Sequence, residues 1–490
     1  MRINTNISAL IANSHLRAND NLMSDTMERL SSGLKLNRSA DDSAGMAIAS
    51  RMRTQIRGLD QANENASDGV SLVQTAEGAL NEVTAMIQRM RELAVQGANG
   101  TNSDAEREAI TQEISALQDE IERIGATTEF NGKPLLDGSQ ERRRYNDVVG
   151  TDVTYLSDEV PAGDYAIKVT ALSEQGTNTY TISEADSYLF QEKSAIRIND
   201  YEIMVQQGDS VADVKAKIIE AADKLNLTAE FGTDTSVTPP TNVLTLTTYE
   251  YGSSAEIITS AGSQELCDAL GFTLTDTVVT GVDMQAELIK ESPAPADPAS
   301  EFANTAVITC EGNKAIIRDN GGFEMEYKLY PDEMKPEDKD KLTDNNPDTS
   351  LTISTEVKDL GMMTLHIGAR EGQIVDVNIR EISLESLGID LINTNTEYGC
   401  GAAITALDGA LDYVTKVRSS LGAYQNRLDS TISNLSVVEE NMTAAISRIE
   451  DADMAKEMTE FTKLQVLTQA STSMVAQANE RPQTVLQLLQ

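Results

Sequence analysis

Several residue types are scarce in this chain, and each scarcity limits what the protein can be. The 490 residues include no tryptophan, and aromatic residues make up only 4%. Because thick globular cores usually rely on aromatic rings, we expect slender helix packing with small residues at the interfaces. No run of about 18 apolar residues could span a bilayer, and the first residues do not resemble a signal peptide. The sequence therefore predicts a chain that is either cytosolic or exported without a cleaved signal.

Histidine and cysteine, which are common in catalytic and metal sites, are also rare. The histidines are His15 and His366, and neither has a second histidine four residues away. The H-E-x-x-H zinc motif and the G-x-x-x-x-G-K-[ST] phosphate loop are both absent. Three scattered cysteines without a C-x-x-C pair favour free thiols, although a Cys267–Cys310 disulfide stays open as an alternative. The sequence predicts no enzyme, no cofactor and no metal site.

Charge is plentiful but mostly of one sign. The formal net charge of −39 argues against nucleic acid or an anionic membrane surface as a partner. From Leu464 to Gln490 the only charged residues are Glu480 and Arg481, whereas acidic residues accumulate in the middle of the chain. This distribution indicates ends that are buried against other molecules and a middle that faces water.

What the sequence does contain is two long seven-residue apolar repeats, one near each end. Such spacing keeps one apolar stripe facing a partner helix over many turns, which is typical of coiled-coil packing. Since the repeats are far apart in sequence, we expect them to meet by closing the chain on itself. Alanine and glycine in the companion positions, such as Ala62, Gly69 and Ala76, indicate close helix approach. The predicted intramolecular seam consists of Met52, Leu59, Val73, Leu80, Ile87, Leu421, Leu428, Leu435, Met442 and Ile449.

The pattern between about residues 140 and 363 is different. Short alternating segments such as Ala195–Val205 and Val243–Thr248 predict strands, interrupted by one helix near Ser210–Leu225. A hairpin is predicted near residues 364–379, and helices resume near Ala402. We expect a helix break near residues 451–453 and a final helix that stops before Pro482. The predicted fold class is α+β, with a long antiparallel helical coiled-coil stalk formed by both chain ends and a β-rich insertion forming outer domains.

Several specific segments lie at both ends of the chain. Near the N-terminus they are Arg2–Asn6, Leu30–Leu34 with Asn37–Gly45, and Gln88–Gln96. Near the other end they include Leu421–Leu428 and Gln477–Asn479. These segments resemble bacterial flagellin, the subunit of the flagellar filament. The likeness covers roughly residues 1–140 and 364–490, about half of the chain.

The resemblance implies a division into four parts. Residues 1–40 and 453–490 would form a terminal helical assembly domain lining a central channel. Residues 41–140 and 364–452 would form a helical stalk domain with a β-hairpin. Residues 141–290 are predicted as an outer α+β domain, and residues 291–363 as an outer β-rich domain or subdomain.

The resemblance also implies a function: a structural subunit, exported unfolded, that self-assembles into the extracellular flagellar filament for swimming motility. Its partners would be other copies of itself in a helical homopolymer, the flagellar export machinery and a secretion chaperone. The alternative is a flagellar hook–filament junction protein or an adhesive appendage protein. Residues predicted to carry filament assembly are Ile3, Ile7, Leu10, Leu464, Leu467, Val485 and Leu488.

A second binding role follows from the same resemblance. Arg89, Leu93 and Glu113 match flagellin positions bound by the host's innate immune receptor, Toll-like receptor 5. An arginine beside an apolar residue suits a binding hot spot. Because subunit contacts would cover this face in a filament, we expect the receptor to recognise the monomer.

Overall fold

A computed structural model describes residues 6–234, 241–290, 300–343 and 350–488. Its helices are α1 (Ile7–Ser32), α2 (Ser43–Gly97), α3 (Asp104–Thr127), α4 (Val211–Lys224), α5 (Gln264–Leu270), α6 (Pro336–Thr343), α7 (Leu384–Leu387), α8 (Glu397–Glu450) and α9 (Met454–Leu488). These helices and the strands between them confirm the predicted α+β class.

The strands lie mainly between α3 and α7. They are β1 (Glu129–Phe130), β2 (Lys133–Pro134), β3 (Arg143–Asn146), β4 (Thr151–Leu156), β5 (Gly163–Ala171), β6 (Gln175–Ile182), β7 (Ser194–Ile198), β8 (Tyr201–Val205), β9 (Leu227–Asp234), β10 (Thr241–Tyr251), β11 (Glu256–Ala261), β12 (Thr277–Thr280), β13 (Gln285–Leu288), β14 (Val307–Glu311), β15 (Lys314–Arg318), β16 (Glu324–Leu329), β17 (Leu351–Lys358), β18 (Met363–His366) and β19 (Ile374–Val377). The last two form a two-stranded sheet at the predicted hairpin.

Local chemistry explains most of the helix ends. Gly33 follows α1 with φ of 73°, a left-handed conformation that glycine adopts without a Cβ clash, and its N–H donates to the Arg29 carbonyl oxygen. The Asp42 carboxylate accepts the backbone N–H groups of Ala44 and Gly45, which begins α2. The predicted break near residues 451–453 separates α8 from α9. The expected stop before Pro482 is wrong, because α9 continues through it to Leu488.

The chain divides into two compact units. In the first, residues 1–70, 365–375 and 426–490, α1 runs antiparallel to α9. The Asn6 side-chain amide donates to the Ala478 carbonyl oxygen at 2.8 Å, and Arg29 lies 3.9 Å from Glu457. In the same unit α2 runs antiparallel to α8, because Arg53 pairs with Glu450 while Gly69, further along α2, faces Leu428.

In the second unit, residues 71–364 and 376–425, the remaining parts of α2 and α8 also run antiparallel. Glu77 lies 3.7 Å from Arg418, and Arg91 lies 2.6 Å from Asp408. The neighbouring α3 approaches the chain near α7 so closely that a Cβ added to Gly125 would lie 2.2 Å from the carbonyl oxygen of Ile382. The missing side chain of Gly125 therefore allows this close approach between α3 and the segment before α7.

The strands of the second unit pack into two separate cores. One core includes Tyr165, Ile167, Phe302, Tyr327 and Ile353, from the sheets ordered β13-β5-β17-β3 and β14-β15-β16-β4. The other lies between residues 180 and 272 and combines the sheets ordered β12-β11-β7-β8 and β6-β10-β9 with α4 and α5. All of these strand pairs with a described register are antiparallel.

This arrangement differs from the expected break near residue 290. Strand β17 pairs with β5, so segments on both sides of residue 290 share one core. The second core is instead nested as an insertion inside the first. The predicted boundary therefore does not coincide with the division between the cores.

A buried ionic contact joins the first core to α8. The Arg380 side chain is 3% exposed; its Nε donates to the Leu156 carbonyl oxygen at 3.1 Å, and its Nη2 lies 3.3 Å from Asp158. The Tyr424 hydroxyl of α8 donates to the same carboxylate at 3.2 Å. Because the Arg380 charge is removed from water, whereas the Asp158 side chain stays 30% exposed, the buried guanidinium depends on these partners.

Candidate functional site

The paired helices α1 and α9 bury very little of their own surface. Thr26 is the buried residue of α1, and Leu464 and Ala478 are the buried residues among the described side chains of α9. Polar contacts cross the pair, such as the Asn19 amide donating to the Ser471 hydroxyl at 3.1 Å, and apolar residues such as Leu16, Met23 and Phe461 are only half-buried. The pair therefore has almost no apolar core of its own.

Large apolar side chains on the same two helices are left exposed. Large exposed apolar surface on a soluble protein marks an interaction site. The exposed residues are Ile7, Leu10, Ile11, Leu22 and Met27 on α1 and Met454, Met458, Val466, Leu467 and Met474 on α9. These ten residues are called the terminal apolar surface below.

The predicted assembly residues fall into three groups. Ile7, Leu10 and Leu467 belong to the terminal apolar surface. Leu464 is only 3% exposed, so it packs inside the helix pair and is not free to contact another molecule. Ile3 and the side chains of Val485 and Leu488 lie outside the described residues. Sequence reasoning missed Val466 and Met474, although the nearly uncharged stretch after Leu464 was the signal that contained them.

The predicted seam residues lie on α2 and α8. In the first unit Leu59 and Leu428 are buried, while the rest of the seam there is half-buried: Met52, Leu435, Met442 and Ile449. In the second unit every predicted member is buried: Val73, Leu80, Ile87 and Leu421. The role of these residues as one continuous seam stays a prediction.

Arg89 and Glu113 come together on the surface of the second unit, from α2 and α3. The Arg89 Nε and Nη2 atoms lie 3.0 and 2.8 Å from Glu113 Oε1, and Nη1 lies 3.3 Å from Glu92. Hydrogen bonds to Glu113 first, and to Glu92 second, raise the pKa of Arg89. Leu93 does not join them at the surface, because it is 2% exposed and packs inward.

The described parts of the chain contain neither a metal-binding cluster nor a membrane-spanning helix. No group of three or more His, Cys, Asp or Glu side chains there is arranged to hold a metal ion. None of the helices described combines the length and apolar character needed to cross a membrane. Cys267, Cys310 and Cys400 are free thiols, which leaves the alternative disulfide unformed.

Known proteins match both ends and the full length of the chain. Residues 3–141 match the family model of the bacterial flagellin N-terminal helical region, and residues 404–489 match that of the C-terminal helical region. Flagellin D of Vibrio anguillarum is 32% identical over 490 residues, which is 100% of this chain and 99% of the relative. Flagellin A of Vibrio cholerae is 32% identical over 492 residues, with 100% of both chains covered. Among solved structures, FliC from Burkholderia pseudomallei is 18% identical, and the match covers 73% of this chain and 99% of the FliC chain, with a TM-score of 0.23.

Helices from the two chain ends that pair around a β-rich insertion, and that leave apolar faces exposed, define a structural subunit of a polymer. The family models match somewhat less than half of this chain, and the flagellin relatives match all of it. The chain belongs to the bacterial flagellin family. It is a structural subunit of the extracellular flagellar filament and not an enzyme.

Proposed function

We propose that the terminal apolar surface is where subunits of this filament contact one another. The observation that carries the proposal is the imbalance within α1 and α9, which expose ten large apolar residues and bury almost none. Burial of such surface is favourable by about 25 cal/mol per Å². Neighbouring subunits that cover it would supply the core that the helix pair lacks.

A filament also needs a contact that repeats without closing into a ring. Two unlike surfaces on one subunit meet this need, because head-to-tail contacts between them can continue indefinitely. Helices α1 and α9 differ in sequence and present different apolar residues, so each can meet a different neighbour. The full-length match to flagellins favours the main filament subunit over a junction protein.

The same imbalance suits export in an unfolded state. Helices without tertiary packing are marginally stable in water, so a pair with almost no core costs little to unfold. The export machinery would receive the chain in this unfolded state. A secretion chaperone would cover the apolar residues of α9 until assembly buries them.

Deletion of residues 464–490 tests the assembly proposal. The truncated chain loses Leu464 from inside the pair and Val466, Leu467 and Met474 from the terminal apolar surface. We expect no filaments by electron microscopy after seeding, at concentrations where the intact chain polymerises fully. Labelling of the buried Cys400 thiol is the control, and its rate should be unchanged if the second unit stays folded. Filaments from the truncated chain at the same concentrations would contradict the proposal.

Toll-like receptor 5 is the second proposed partner, and Arg89 with Glu113 is its proposed contact. Support comes from the exposed arginine held by two carboxylates, since a preorganised arginine loses less side-chain entropy on binding. Leu93 is not proposed as a direct receptor contact, because its side chain is buried. Its packing would hold Arg89 in position from below.

Binding of the monomeric chain to the immobilised receptor ectodomain tests this contact. Arg89→Ala should weaken binding by about tenfold or more, as expected for a hot-spot arginine. Arg123→Ala is the matched control, because Arg123 is also an exposed arginine paired with a glutamate, Glu120. Equal effects of the two substitutions, or none from either, would refute a specific role for Arg89.

A further inference from the structure

A cleft of about 150 Å³ lies in the second unit, between the nested core and the beginning of α8. One wall comes from the β7–β8 turn, the end of α4 and the end of β10. The other wall comes from residues 388–406, which lead into α8 and form its first turns. No role described above uses this cleft. Clefts between packed modules are common sites for small ligands.

Hydrogen bonds between the two walls hold the cleft open in a fixed shape. The Asn226 amide donates to the Leu391 carbonyl oxygen at 2.9 Å. In the opposite direction, the Asn393 amide donates to the Lys224 carbonyl oxygen at 2.7 Å. The Asp200 carboxylate accepts the backbone N–H of Tyr398 at 3.1 Å, which also satisfies one amide at the start of α8. A ligand would therefore find the walls already positioned.

The charges around the cleft are all of one sign. Asp200, Glu250 and Glu256 line it, whereas none of the described lining residues is lysine or arginine. Lys224, next to the lining in sequence, already pairs with Glu220 at 3.0 Å. Desolvation first, and the neighbouring charge of Asp390 second, raise the pKa of Glu250. Among the described residues that line the cleft, the negative charge thus has no lysine or arginine to balance it.

Two aromatic rings complete the lining. Tyr249 and Tyr398 come from opposite walls, and both are exposed, with Tyr398 at 65%. A tyrosine face attracts a cation by about 0.5–2 kcal/mol, depending on how much water is removed. Rings and carboxylates together are the chemistry that recognises an organic ammonium group, which is apolar on its surface and positively charged.

We propose that this cleft is a binding site for a small organic ammonium group. Tyr249 and Tyr398 supply the rings that contact the methyl or methylene surface of the ligand. Glu250 and Glu256 supply the opposing charge, while Asp200 keeps its hydrogen bond to the backbone of α8. The group could be a free ammonium ion or the end of a lysine side chain, and the two sources share this chemistry.

Titration of the full-length monomeric chain with tetramethylammonium chloride tests the proposal. The chain carries 3-fluorotyrosine, and the fluorine NMR signals of Tyr249 and Tyr398 are assigned by single Tyr→Phe variants. We expect both signals to shift saturably with tetramethylammonium and not with sodium chloride at equal ionic strength. A parallel titration with Nα-acetyl-lysine methylamide tells a lysine side chain from a free ion, and saturable binding of either supports the site.

Substitutions distinguish a contact between the ligand and the Tyr398 ring from general attraction of a cation to an acidic protein. Tyr398→Ala should weaken binding by about tenfold, while Tyr398→Phe should stay within about twofold of the parent. Glu250→Gln should weaken binding by about fivefold. Glu230→Gln is its matched control, because Glu230 is an exposed glutamate of β9 outside the cleft.

Three results would overturn the proposal. The first is the absence of any saturable shift beyond that seen with sodium chloride. The second is equal weakening by Glu250→Gln and Glu230→Gln, which would mean diffuse attraction. The third is equal weakening by Tyr398→Phe and Tyr398→Ala, which would mean that the ring is not used.

Discussion

Replacement of Leu10 by serine perturbs the terminal apolar surface at its most exposed point on α1. Leu10 is 74% exposed, so the monomer gains little from it. Full burial of a leucine side chain contributes about 1.5–3 kcal/mol. A neighbouring subunit that covers the exposed three quarters of Leu10 therefore gains about 1–2 kcal/mol from this residue.

This free energy fixes the expected change in the critical concentration, the monomer concentration that coexists with filament. Each 1.4 kcal/mol corresponds to a factor of ten, so Leu10→Ser should raise the critical concentration by about five- to thirtyfold. The assay is sedimentation of seeded filaments, followed by measurement of the protein left in the supernatant. The stability of the monomer should change by less than about 0.5 kcal/mol, as is usual for exposed positions.

Val307→Ser is the matched control for this prediction. Val307 is 63% exposed and lies on β14, an edge strand of the sheet ordered β14-β15-β16-β4 in the second unit, so the substitution makes a similar apolar-to-polar change outside α1. We expect its critical concentration to stay within about twofold of the parent. A Leu10→Ser chain that polymerises at the same concentration as Val307→Ser would refute the reasoning.

Three further predictions concern the second unit. Gly125→Ala should destabilise this unit by about 1–3 kcal/mol in urea denaturation, because the new Cβ would meet the carbonyl oxygen of Ile382 at 2.2 Å. Gly78→Ala is the matched control: no atom lies within 4 Å of its new Cβ, so it should stabilise the unit by about 0.5–1 kcal/mol. Asp158→Ala should cost about 3–5 kcal/mol in the same assay, because it leaves the buried Arg380 guanidinium without its carboxylate, and a cost below 1 kcal/mol would contradict this account. Hydrogen bonds from Ser253, and then from the Gly312 amide, lower the pKa of Asp283 from 3.8. The contribution of Asp283 to folding stability is therefore present above about pH 4 and is lost as the pH falls through the lowered pKa. Asp283→Asn should flatten the fall in thermal stability between pH 4 and pH 2, and an unchanged slope would count against this prediction.

The helical parts of this fold could be predicted because their signals are local. A repeat of seven apolar residues and a glycine at a helix end act within a few turns, as at Gly33 and along α2. Pro482 shows the limit of local reasoning. Proline removes one backbone hydrogen bond, yet α9 continues through it to Leu488.

The outer cores could be predicted as β-rich but not in their connections. Strand β5 pairs with both β13 and β17, which are far from it in sequence, and alternation of apolar residues carries no information about the partner strand. The nesting of one core inside the other was missed for this reason.

In the candidate sites, too, the sequence predicted the local apolar character but not the contacts that depend on the fold. Apolar character placed Leu10 and Leu464 together, but it could not tell which one faces outward, because both helix faces of a two-helix pair can be apolar. Leu93 was misjudged in the same way. The contact between Arg380 and Asp158 was missed altogether, since its partners meet only through the fold.

A reconstruction of the filament by electron cryo-microscopy at side-chain resolution tests the central claim most directly. The account predicts that Ile7, Leu10, Val466 and Met474 are buried against neighbouring subunits, while α2 stays packed against α8 of its own chain. A filament in which these four side chains face solvent or an open channel would contradict it.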